Sequence, residues 1–220
     1  MGFDVTFHPI GGAELQRFLF DVIADGSLAE HRAAELAKTP KERDTVLKLY
    51  RAFPNWIAEK APVGSSFAFA AAIVAGFLHP YWYARGTALT FLAEGCVPEL
   101  ADVFVPLGRV APGVLADAPD RHRGMIWGND SASGLIPADR ITSVRHLLES
   151  LADRPGRGSL SLLETIVDED ALESLRAALQ YCAAHNLGMI EASDVVVPFS
   201  GQCLTRYTNL RATFLDKMDP

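Results

Sequence analysis

Phe67-Ala-Phe-Ala-Ala-Ala-Ile-Val-Ala-Gly-Phe-Leu78 is the stretch whose reading decides the fold, and it lies inside a longer segment, Ala61 to Ala84, that holds no Asp, Glu, Lys or Arg. Its continuous apolar part would make a helix of about 18 Å at a rise of about 1.5 Å per residue. That is short of the roughly 30 Å hydrocarbon core of a bilayer, so the reading is a buried helix, not a membrane span. Ala68, Ala72 and Gly76 recur every fourth residue, so one side of this helix is smooth enough for the backbone of a neighbouring helix to approach closely.

Working outward towards the N-terminus, Phe3, Val5 and Phe7 alternate with Asp4, Thr6 and His8, which predicts a half-buried strand ended by Pro9. Leu15, Phe18, Leu19, Val22 and Ile23 then follow the spacing of an amphipathic helix, stopped at Gly26. Ser27 and Glu30 have capping-box spacing for a short helix to about Ala37. Thr39, Pro40 and Glu42 supply an N-cap, a first-turn proline and a capping acid for a further helix whose Val46, Tyr50, Phe53 and Ile57 share a face, with Pro54 as a kink or restart.

Towards the C-terminus, His79-Pro80 ends the apolar helix, and Tyr81, Arg85, Leu89 and Leu92 continue a helical face to Gly95. Residues 95–119 read as irregular, with Val103 to Val105 and Met125 to Trp127 as short strands. Pro137 opens a helix with Ile141, Val144, Leu147, Leu148 and Leu151 inward, and Arg154 to Ser159 is the linker. Leu172, Leu175, Leu179 and Cys182 share the face of another helix, terminated by Asn186 to Gly188. A strand at Val195 to Val197 and a last helix through Tyr207, Leu210, Phe214 and Met218 complete the pattern. The expectation is a mainly α protein with minor β (α+β), a helical core with a few short strands around a central apolar helix at 65–79. Residues 1–153 would form the main domain, and 154–220 a C-terminal helical segment packed on it.

The chain has 220 residues, 49% hydrophobic and 21% charged, which suits a folded domain rather than a disordered one. Twenty basic against 27 acidic residues give a net charge of −7, which opposes binding to nucleic acid or to an anionic membrane and favours a basic protein partner. Cys96, Cys182 and Cys203 are odd in number and widely spaced, so neither a disulfide framework nor a zinc site is expected. With no basic, apolar leader, a cytoplasmic location is the expectation.

His8, His31, His79, His122, His146 and His185 form no close metal-binding motif, so no metal or cofactor is expected. His79 stands out because it adjoins both the apolar helix and Tyr81-Trp82-Tyr83. Residues 128–134 concentrate Asn129, Asp130, Ser131 and Ser133 after Arg121-His122-Arg123, but lack both the G-x-S-x-G elbow of hydrolases and the lysine of a phosphate loop. An enzymatic reading would use His79, His122, Asp130 and Ser131 in one cleft, with histidine as base and serine as nucleophile. The non-enzymatic reading makes the protein a binding partner of another protein, with Tyr81, Trp82, Tyr83, Trp127, Asn129 and Asp130 at the interface.

The run Asn-Asp-Ser-Ala-Ser-Gly-Leu-Ile-Pro-Ala-Asp-Arg, residues 129–140, and the amphipathic helix after it resemble a serine- and glycine-rich turn followed by a proline-started helix. That arrangement is similar to small uncharacterised bacterial proteins, including immunity proteins of polymorphic toxin systems. The resemblance covers about twenty residues and transfers no functional residue. It implies a cytoplasmic bacterial protein that neutralises a toxin by binding it.

Overall fold

The computed structural model describes residues 4–58, 63–85, 88–95, 97–111, 125–126, 131–155, 169–193 and 204–205. The fold is mainly α with a small antiparallel sheet. Strand β1 (Asp4–Ile10) leads into α1 (Gly12–Leu15), a π-helical turn (Gln16–Phe20) and α2 (Asp21–Ala24). Helices α3 (Ala29–Leu36), α4 (Pro40–Ala58) and α5 (Val63–Leu78) follow, then β2 (Tyr81–Arg85) and α6 (Leu89–Gly95). After a 3-10 turn come α7 (Leu107–Val110), α8 (Ala138–Ala152), α9 (Glu169–His185), β3 (Gly188–Ser193) and β4 (Leu204–Thr205).

The sheet runs β3-β1-β2-β4, and it separates two apolar cores. Because side chains alternate across a strand, Ile10, Tyr81, Tyr83, Ile190 and Ala192 point to one layer, where α5 packs with α1 to α4 and α7. Val5, Phe7, Ala84 and Met189 point to the other, against α6, α8 and α9. Both faces of the sheet are therefore covered, and all seven residues of β1 are buried rather than half of them.

Helix α5 explains its own composition. Every residue from Phe67 to Phe77 is buried, so no face of the helix is left for charge. Its neighbours include the sheet itself, through β1 and β3, as well as helices α3 and α4. The small residues expected to meet a helix thus belong to an element that also lies flat on strands. Among the described residues no helix is long and apolar enough to cross a membrane.

Helix α4 starts as its sequence predicts: Thr39 Oγ1 accepts from the Glu42 N–H at 3.3 Å, and the Glu42 carboxylate accepts from the Lys38 N–H at 2.6 Å. It continues through Pro54, and Ile57 is exposed rather than on the buried face. Helix α9 ends in a Schellman motif, with the Leu187 N–H on the Cys182 carbonyl at 2.9 Å and Asn186 in the left-handed region at φ 53°. Asn186, the first residue of the predicted stop, takes the left-handed position.

Several expectations are corrected. Tyr81 to Arg85 is a strand, because Asp4 to Phe7 offers it a full antiparallel register and aromatic residues suit a pleated surface better than a helix restarted after Pro80. Pro9 does not end β1: its partner Met189 exchanges both backbone hydrogen bonds with Ile136 on the other side, so the pair needs no N–H from the proline. Val103 ends a 3-10 turn, and Val105 makes one isolated bridge with Leu135. Beyond residue 153 the chain supplies strands as well as helix α9, and β3 pairs with β1. The expected strand at 195–197 and helix at 207–218 lie outside the described residues.

Residues 131–136 lie along the free edge of β3, bridged through Ala132–Ala192 and Ile136–Met189. Two glycines permit close backbone approach here, Gly134 to Val105 and Gly188 to Ile136. A Cβ on Gly134 would stand 2.5 Å from the Val105 carbonyl oxygen, and one on Gly188 would stand 2.6 Å from that of Ile136.

Candidate functional site

Where α5 hands over to β2, the chain leaves the core and sets His79 beside the first turn of α1. His79 Nε2 lies 3.0 and 2.9 Å from the two carboxylate oxygens of Glu14. The same carboxylate accepts from the Gly11 N–H at 2.7 Å, which fixes it against the helix start. Burial pushes the Glu14 carboxyl up, but the hydrogen bonds from His79 and Gly11 and the His79 charge outweigh it, so it stays below its ordinary value.

Next to this pair stands a row of rings. The last turns of α9 bring Tyr181 to 6.2 Å from His79, edge-on, and to 5.4 Å from Trp82, tilted by 53°. His185, one turn further, lies 4.2 Å from Tyr181. Trp82 and Tyr181 are half-buried against the second core and His185 is exposed, so the row runs from the edge of the core to solvent. Burial, then the neighbouring Cys182 and Glu14 charges, hold the Tyr181 phenol above its ordinary value.

This arrangement has two chemical capacities. A carboxylate holding one imidazole nitrogen orients the ring and leaves Nδ1 as the basic position. Paired rings with a polar edge offer rigid contact area at low entropic cost.

Of the residues predicted for the site, His79 and Trp82 are in this cluster. Tyr81 and Tyr83 are buried on the opposite face, Tyr81 stacked on His8 at 4.9 Å and Tyr83 donating its hydroxyl to Asp4, away from the cluster. Ser131 is buried too, 3.4 Å from the Ser193 hydroxyl, on the far side of β3. Ser131 lies beyond β3 and His79 just before β2, with β3 and β1 between them, three strand spacings or about 14 Å, beyond hydrogen-bond reach. The cleft joining them is not formed by these two residues. His122, Trp127, Asn129 and Asp130, with Cys96 and Cys203, lie outside the described residues.

The sequence reading missed Glu14, Tyr181 and the role of His185. It also passed over two fully buried polar groups, His8 and Glu191. His8 Nε2 meets Thr6 Oγ1 at 2.7 Å, and its Nδ1 has no partner among the described residues. Burial lowers its pKa to about 3, so the ring is neutral. The Glu191 carboxylate accepts from the Leu89 and Thr90 N–H groups at 2.6 and 3.1 Å, tying β3 to the start of α6. Burial pushes it up to about 7 against those hydrogen bonds. Both groups are enclosed and serve the fold.

Cys182, on the buried face of α9, has its thiol pushed up to about 12 by burial, which removes it as a nucleophile. Among the described residues no group of three His, Cys, Asp or Glu side chains is placed to hold a metal ion. Compared with protein families, with curated proteins and with solved structures, the chain finds no match.

Proposed function

We propose that this is a protein-binding protein whose interface centres on Trp82, Tyr181 and His185, with the Glu14–His79 pair at its edge. The observation that carries the reading is the Trp82–Tyr181–His185 row, in which three rings from two elements reach from the second core to the surface. Aromatic residues braced from behind are the usual energetic centres of interfaces. The net charge of −7 supports a basic partner, and neutralisation of a bacterial toxin domain in the cytoplasm is the specific form proposed.

The test is calorimetric titration with the protein encoded beside this one. The wild type is expected to bind, and Tyr181→Ala and His185→Ala to weaken binding, the tyrosine change by about 30-fold or more. His185 is exposed, so its variant separates loss of contact from loss of fold. Unchanged affinity in both variants, or no binding by the wild type, rejects the reading.

A second reading rests on the contact of both Glu14 oxygens with His79 Nε2. Such a pair can act as a general base on a small substrate, with Tyr181 as a neighbouring polar group. Hydrolysis of activated esters or phosphoesters, lost in His79→Gln and reduced in Glu14→Gln, would support it. Equal rates in all three proteins would exclude it.

A further inference from the structure

Away from the ring cluster, helices α3 and α4 diverge over an open cavity of about 520 Å³. Cavities of about 300 to 1,000 Å³ are the size that holds small organic ligands. On α4 its wall is the stripe Arg43, Leu47, Arg51, one residue per turn on a single face. The opposite wall is Ala34 on α3 and Ala37 just after its end, whose short side chains leave the space open. Leu47 is buried, so the floor is apolar while the rim is charged.

The charges on the rim are arranged about one point. Glu30 offers one oxygen to Arg43 Nη2 at 2.7 Å and the other to Arg51 Nη2 at 3.6 Å. All three side chains are about half or more exposed, and exposed pairs of this kind contribute little, so the Glu30 carboxylate is readily displaced. Three basic residues, Lys38, Arg43 and Arg51, line the cavity against two acidic ones, Glu30 and Asp44, a local excess of positive charge in a chain of net charge −7.

We infer that this cavity is a binding site for a small amphipathic anion. A carboxylate or phosphate head would take the place of the Glu30 carboxylate between Arg43 and Arg51, and a short apolar body would lie on Leu47, Ala34 and Ala37. Glu30 is then an internal stand-in for the ligand: it keeps the two guanidinium groups converged when the site is empty and swings to solvent when an anion enters. Two arginines two turns apart on one face suit such a head because each can give forked N–H donors to its oxygens.

The test uses octanoate and octyl phosphate as probes, with 1-octanol and octyltrimethylammonium as controls, in calorimetric titrations at low salt. Both anions are expected to bind and the controls to bind at least about tenfold more weakly. Arg43→Gln and Arg51→Gln should each weaken the anions by about tenfold, while Glu30→Gln should strengthen them several-fold by removing the competitor. All three positions are exposed, and circular dichroism verifies that the variants remain folded. Octanol binding as well as octanoate, unchanged affinity in the arginine variants, or weaker anion binding in Glu30→Gln would each overturn the inference. Of the two heads, the tighter binder identifies which anion the site was built for.

Discussion

His8 and Glu191 sit on neighbouring strands, face opposite layers, and titrate in opposing senses. His8 is held at about 3, below its ordinary 6.5, so between those values the unfolded chain binds a proton that the folded chain refuses. Its share of stability is therefore lost as pH falls through that window. Glu191 is raised from 4.5 to about 7, so the folded chain keeps a proton that the unfolded chain releases. Its share is present below about 4.5 and is lost as pH rises towards 7, a span of about 3 kcal/mol at roughly 1.4 kcal/mol per unit. Between about 4.5 and 6.5 the two slopes cancel. In Glu191→Gln the His8 slope stands alone, and stability measured by urea unfolding should rise by about 3 kcal/mol from pH 4.5 to 6.5 relative to the wild-type change over the same range. Parallel profiles for the two proteins would show that Glu191 is charged throughout. Neither group was legible in the sequence. His8 occupies an outward position of an alternating strand, and only the helical layer around α5 turns that position inward.

At the scale of elements, α5 is where sequence and fold agree most closely. Its lack of charge predicted a helix buried all round, and every residue from Phe67 to Phe77 is buried. Close packing of this kind leaves no room for a longer side chain. Ala72→Leu should destabilise the protein by about 1–3 kcal/mol, read as a lower midpoint in urea at unchanged slope. A midpoint equal to wild type would mean that the α5 interface has slack. The helices α4, α8 and α9 were equally readable, because capping residues and 3.6-residue periodicity are local signals. Of the strands only β1 was, through the alternation of Val5 and Phe7 with Asp4, Thr6 and His8. Tyr81 to Arg85 carries a spacing that fits a helix until its partner Asp4 to Phe7, nearly eighty residues earlier, is brought alongside. Gly188, the last residue of the predicted stop, has a second role as the place where the edge segment 131–136 comes within backbone distance of β3.

Over the whole molecule, the candidate site is assembled from chain regions that share no local pattern: the start of α1, the exit of α5, the first residues of β2 and the last turns of α9. His79 and Trp82 were visible because they flank a conspicuous helix. Glu14, 65 positions before His79, and Tyr181 on the opposite helical layer could be found only once the sheet had fixed their separation. The sheet also parts what the sequence had joined, since Tyr81 and Tyr83 point into the first core while Trp82 points to the second. The central claim is that the ring row is where a protein partner docks. Hydrogen exchange of the chain alone and with the protein encoded beside it measures this directly. Added protection is expected to concentrate in residues 79–85 and 177–187, with little change along α3 and α4. Protection absent from those segments, or centred on α3 and α4 instead, would contradict it.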